Sequence, residues 1–183
     1  MDRRGIEIER KFRLRQAPDE AALAAHGAVA QRIEQVYLRP DPGASGPDAP
    51  DVARVRRTEL PDGTVAFRRT TKRRVGAFSF DEAEDAIDAI AWVTAMANAD
   101  PTRRAVRKTR HVVESGPHTL EIDVFEVPAG LVVVEVELAS EDDPVVLPAW
   151  LGEWREVTGD ERYFNVSLAR RDAVVPPFGG PVA

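Results

Sequence analysis

Residues 5–14 read GIEIERKFRL, with apolar Ile6, Ile8 and Phe12 alternating with charged Glu7, Glu9 and Lys11. A period of two predicts a β-strand with one apolar and one charged face. The fold turns on where the charged face looks, into water or into an enclosed space.

The same alternation recurs along the chain. Arg54 and Arg56 share one face of a predicted strand, as do Arg68, Thr70 and Lys72, and then Lys108 and Arg110. Glu121 pairs with Asp123 on another strand, and Glu135 with Glu137 on the next. The opposite faces carry Ile8, Val55, Phe67, Ile122, Val134 and Val136. Each strand alone suits an open antiparallel sheet with its charges in water. As a set they do not, because the signs segregate by strand instead of mixing as on a solvated surface. Rolling the sheet into a barrel points the charged faces into the lumen and leaves the apolar faces for helices to cover. That lumen holds six carboxylates and seven bases on the strands named. So many enclosed charges must pair or bind something. A polyanion carrying divalent cations satisfies both signs: carboxylates hold the metal, and Arg and Lys grip phosphate oxygens.

The rest of the chain fits around such a barrel. A helix is predicted over about 18–33 with Asp19 at its start, followed by the strand QVYL. Residues 39–51, RPDPGASGPDAPD, read as a poorly ordered loop. Two strands flank a hairpin at Asp62-Gly63. GAFSF reads as a short strand, and 81–98 as the clearest helix, with Ala83, Ile87, Ile90, Ala91 and Val93 as its apolar stripe. Three strands, RAVRKTRHVVE, TLEIDVFEV and LVVVEVELA, form a meander. The segment PAWLGEWREVTGDERYFNVSLARR reads as two short helices. In it Trp150 and Trp154 are spaced to pack one helix on the barrel, and Tyr163 and Asn165 to anchor the closing segment. The expected class is α+β: an eight-stranded antiparallel closed β-barrel with helices packed outside. The domain spans 1–172, with 173–183 as a tail.

Composition narrows the chemistry. The 183 residues include no cysteine, which excludes disulfides and thiolate metal sites. His26, His111 and His118 show no zinc-ligand spacing, and His111 has the outward strand parity. A metal would therefore sit on carboxylates, as a hard cation such as magnesium, calcium or manganese does. The net charge of −6 disfavours nucleic acid and anionic membranes as partners. No stretch reads as a signal peptide or membrane span, so a cytoplasmic protein is expected. Arg103, Arg104 and Arg107 form a basic run read as solvated surface.

EIERKF resembles the ExExK signature of the CYTH domain, the triphosphate tunnel metalloenzymes. The resemblance continues in order through QVYL, RVRR, RTTK, KTRH, EIDVFEVPAGLVVVEVEL and EVTGDERYFNVSLA, over residues 6 to about 169. It implies an eight-stranded tunnel that hydrolyses inorganic, thiamine or nucleoside triphosphates with magnesium or manganese. Carried over by position, Glu7, Glu9, Glu135 and Glu137 are metal ligands. Lys11, Arg54, Arg56, Lys72, Lys108 and Arg110 are phosphate contacts. Arg68 joins the phosphate contacts on strand parity alone. Glu121 and Asp123 are accessory acids. Lys11 and Glu137 are the candidate catalytic groups, with the attacking water polarised by the metal or by a carboxylate such as Glu137.

One departure stands out. The family carries a further acidic pair before its middle helix, where GAFSF puts Ala77 and Ser79. Glu82 and Glu84 restore the pair only if the strand runs later, and their helical context, DEAEDAI, argues for loss. The expected activity is metal-dependent hydrolysis of a small-molecule triphosphate by a monomer or homodimer. A class IV-type adenylate cyclase and a non-catalytic polyphosphate-binding module are the alternatives.

Overall fold

A computed structural model describes residues 3–40, 49–77 and 79–179. Most of the loop expected at 39–51 and Phe78 of the expected GAFSF strand lie outside these residues. The strands are β1 (Arg3–Leu14), β2 (Val29–Tyr37), β3 (Val52–Glu59), β4 (Val65–Arg74), β5 (Ser79–Ile87), β6 (Val106–Ser115), β7 (His118–Val127), β8 (Val132–Leu138) and the short β9 (Trp154–Glu156). The sheet order is β5-β4-β3-β2-β6-β7-β8-β1-β9, and an added β5–β1 pairing closes the first eight strands into a barrel. Every pairing is antiparallel. The opening stretch is the closing strand. Arg3–Ile8 pairs with β5 on one edge, and Ile8–Arg13 with β8 on the other. Beyond the reach of β5, β9 takes over the vacated edge at Phe12–Leu14. Together these pairings cover at least one edge of every β1 residue, and both edges at Ile8, Phe12 and Arg13.

The outward faces are apolar and covered as expected. On one side Phe12, Leu120, Ile122, Val134 and Val136 pack beneath Leu23, Leu147 and Leu151. On another, Val36 and Val55 pack under Trp92, whose ring centroid lies 5.4 Å from that of Phe67. The β3–β4 hairpin turns where expected. Gly63 takes φ 83°, a conformation costly for a side chain, and Asp62 Oδ1 accepts from the Thr64 amide at 2.8 Å.

The two long helices read from the sequence are both shorter. The first, α1, covers only Glu20–Ala25, capped by Asp19 and stopped at Gly27, whose φ of 67° suits a helix end. The backbone has returned to β2 by Val29. The second correction is larger: residues 79–87 are strand, and α2 is Ala89–Met96. Good helix formers sit at 81–87, but β1 and β4 each need a partner there to close the barrel, and pairing overrides propensity. The stripe read for this helix splits accordingly. Ile87 belongs to β5, while Ile90 and Val93 are 77% and 68% exposed. Asp88 ends the strand and caps the helix, accepting from the Ala91 amide at 2.7 Å. Asp88→Ala should cost about 1 kcal/mol by denaturant unfolding; no change would mean the cap is not holding α2.

The final segment plugs one end of the barrel. It contains 3-10 turns at Ala149–Leu151 and Glu161–Tyr163, β9, and the one-turn α3 (Asn165–Leu168), in place of two helices. Trp150 and Trp154 therefore part company: Trp150 stacks on His26, and Trp154 meets Phe12 edge-on. Val157, Tyr163, Leu168 and Ala169 pack against Tyr37, Val106, Phe125 and Val133 at the strand ends. Tyr163 anchors the plug, its hydroxyl accepting from Arg155 at 2.9 Å and Arg13 at 3.2 Å. The basic run is less solvated than expected, since Arg103 donates to the Val166 carbonyl and Arg104 to that of Leu168. Arg13 also donates to the Pro176 carbonyl, which holds part of the 173–179 tail against the barrel. Among the described residues, no helix is long and apolar enough to cross a membrane.

Candidate active site: a charged lumen

Strand register gathers the charged faces. Lys11 sits opposite Glu135, and Glu9 opposite Glu137, across β1 and β8. Glu135 is also opposite Glu121 on β7, and Arg110 opposite Asp123. On the other wall Arg56 faces Arg68, and Lys72 faces Glu82. The result is a cavity of about 250 Å³ lined by Glu7, Glu9, Glu82, Glu84, Glu121, Glu135 and Glu137 and by Lys11, Arg54, Arg56, Lys72, Lys108 and Arg110.

The acidic pair whose loss the sequence suggested is present. Glu82 and Glu84 project into the lumen from β5, and Ala77 lies before that strand. Ser79 takes the outward parity and donates to Glu141 at 2.5 Å. Two expected site residues stand back from the cavity wall. Arg68 lies 3.3 Å from Glu84, and Asp123 is fully buried behind Lys108 and Arg110. Sequence reasoning missed Gln35 and misjudged Asn165, both of which line the cavity. Strand parity could have found Gln35, which sits opposite Arg56. Nothing in the sequence pattern points Asn165 inward.

The lining charges hold one another. Lys11 contacts Glu135 at 2.5 Å and Glu9 at 2.8 Å. Lys72 bridges Glu7 and Glu82. Arg56 donates to Glu84 at 2.7 Å. Arg110 makes a two-pronged bond to Asp123, 2.7 Å on each arm, and reaches Glu135 at 2.6 Å and also Glu121. Lys108 donates to Asp123. Burial pulls the Lys11 ammonium down, but Glu135 and Glu9 outweigh it and lift it above its ordinary value. Burial likewise pushes Glu135 up, and Lys11, Lys108 and Arg110 overcome it, holding this carboxyl well below the usual range. For Lys108 burial wins, with Arg110 adding to it, and the ammonium is lowered despite Asp123. Burial also raises Glu121, against the pull of Arg110.

Among the described residues no three carboxylates converge on a point able to hold a metal ion. Lysine ammoniums stand between them. The donor set still fits a hard divalent cation, because every candidate ligand is a carboxylate oxygen. Glu9 and Glu137, directly opposite in register, are a like-charge pair that a bridging cation would relieve. Glu137 has no ion-pair or hydrogen-bond partner among the described residues, so its oxygens are free to ligate.

No family model matches the chain. Over 66 residues it is 39% identical to the inorganic triphosphatase of Acetivibrio thermocellus, a match spanning 36% of this chain and 41% of that protein. The solved structure of the inorganic triphosphatase NE1496 superposes with a TM-score of 0.54 at 30% identity, covering 93% of this chain and 96% of that one. The chain belongs to the CYTH, or triphosphate tunnel, family. The PH1819 protein of Pyrococcus horikoshii shares the fold, with a TM-score of 0.50 at 16% identity over 74% of this chain and 80% of that one. The barrel is thus a CYTH tunnel.

Proposed function

We propose that this CYTH protein hydrolyses inorganic triphosphate together with a divalent cation. The observation that carries this reading is the mutual pairing of acids and bases in one enclosed lumen. A polyanion entering alone would draw Lys11, Lys72 and Arg56 away from their carboxylates and leave those carboxylates buried and unpaired, at a cost of several kcal/mol. A cation entering with the anion removes that cost, because the released glutamates take the metal as the bases take phosphate. Among the described residues the main lumen has no aromatic side chain, so within it a nucleoside base has no stacking surface. The binding-module alternative drew its support from a missing acidic pair, and Glu82 and Glu84 remove that support.

In this reading Arg54, Arg56, Lys72, Lys108 and Arg110 line up the phosphates, with the guanidiniums gripping two oxygens at once. A magnesium or manganese ion held by Glu9 and Glu137, with Glu7 and Glu135 nearby, would supply charge neutralisation and polarise the phosphoryl oxygen. Glu137 accepts a proton from the attacking water. The water oxygen bonds to the terminal phosphorus as its bridging P–O bond breaks, and the electron pair leaves with pyrophosphate. Lys11, held protonated by its two glutamates, stabilises that negative charge without giving up a proton. Positioning and fixed charge do the rest.

The test is a phosphate-release panel with tripolyphosphate, thiamine triphosphate and ATP, each with magnesium or manganese. Tripolyphosphate should be the best substrate, with release abolished by chelation and no cyclic AMP formed from ATP. Release from none of the three under either metal would refute the proposal.

A further inference from the structure

Two chambers meet at Asn165. The main lumen and a smaller cavity of about 60 Å³ at its plugged end share Glu9, Lys11, Arg54, Lys72 and Asn165. The remaining walls of the small chamber include Phe80, Phe164 and Val166. Four of the five shared side chains come from barrel strands. Asn165 enters from the plug, as the first residue of α3. Its Oδ1 is buried with no hydrogen-bond partner, and its Nδ2 makes no hydrogen bond among the described residues. A primary amide can make up to four hydrogen bonds. The Oδ1 is an acceptor, which a phosphate oxygen cannot satisfy, so the group that Asn165 offers an anion is its unbonded Nδ2 donor. Tyr163, bonded by two arginines, and the Val166 and Leu168 carbonyls, which accept from Arg103 and Arg104, already fasten the segment without the Asn165 side chain.

We propose that Asn165 sets the length of phosphate chain the tunnel accepts. This rests on the functional reading above. A chain entering from the open mouth runs along the basic lining until it meets the plug. There the Asn165 amide donates to an oxygen of the innermost phosphate and fills the passage to the second chamber. A fourth phosphate would have to occupy that chamber. Lys11, Arg54 and Lys72 reach it and could neutralise the added charge, so what excludes the longer chain is the body of Asn165 and not a lack of cations.

Asn165→Ala removes both the donor and the obstruction. The ratio of kcat/KM for tetrapolyphosphate to that for tripolyphosphate should rise by about tenfold or more, the discrimination typical of a filled pocket. Asn165→Gln, one methylene longer, should move the ratio the other way. Because each ratio is taken within one preparation, partial misfolding of the plug scales both substrates alike and leaves it unchanged. An unchanged ratio in both variants, with tripolyphosphate still turned over, would overturn the inference and spare the functional reading. Absence of tripolyphosphate turnover in the unaltered protein would end both.

Discussion

Asp123→Ala should destabilise the fold by about 3–5 kcal/mol, the range for removing one partner of a buried ion pair. Asp123 is fully buried and is the common acceptor for two cations. Lys108, 2% exposed, donates to it, and Arg110 grips it with both arms. Without the carboxylate, Lys108 loses its acid partner and faces the like charge of Arg110 across an emptied space. Burial already depresses the Lys108 ammonium with Asp123 in place, so the variant's lysine is driven further toward its neutral form. Arg110 keeps Glu121 and Glu135 and stays charged. Denaturant unfolding reads the effect as a lower midpoint at unchanged slope. A loss below about 1 kcal/mol, the scale of an exposed pair, would mean the network is far wetter than its burial indicates.

The second large effect falls on activity. Arg56→Ala should lower kcat for tripolyphosphate by about 10²–10³, the loss typical when one preorganised charge-stabilising group is removed. Arg56 sits midway along the bore, between Gln35 and Arg68 in register and bonded to Glu84. Burial and the neighbouring Arg54 both pull its guanidinium below its ordinary value. Excess positive charge of this kind is relieved by an anion, so the strain of the free state becomes affinity in the complex. Arg56→Lys should recover only part of the loss, because an ammonium cannot grip two oxygens in a plane. Turnover unchanged in Arg56→Ala would remove this residue from the substrate's path.

Much of the barrel was legible because period-two alternation is a direct imprint of lumen and exterior. Glu7, Glu9 and Lys11 point inward and Phe12 outward for the same reason that the register closes. The failures come from places where local chemistry and tertiary need conflict. DEAEDAI reads as helix by composition, yet β5 must exist to seal β1 against β4, and with it Glu82 and Glu84 turn from helix residues into lining. Residues 28–33 were drawn into a helix by alanines on either side of Gly27, whose left-handed backbone ends α1. Asn165 was illegible for a different reason. Its inward aim depends on how the plug seats against Tyr37, Phe125 and Val133, contacts distant in sequence that no local pattern encodes.

Calorimetric titration of tripolyphosphate into the protein, with and without magnesium, tests most directly whether the paired lining exchanges onto a metal-bearing polyanion. The account predicts strong binding with the cation, weak binding without it, and an equal enhancement of magnesium affinity by tripolyphosphate, as linkage requires. Tripolyphosphate binding of the same strength in the presence and absence of the cation, or none in either, would contradict it.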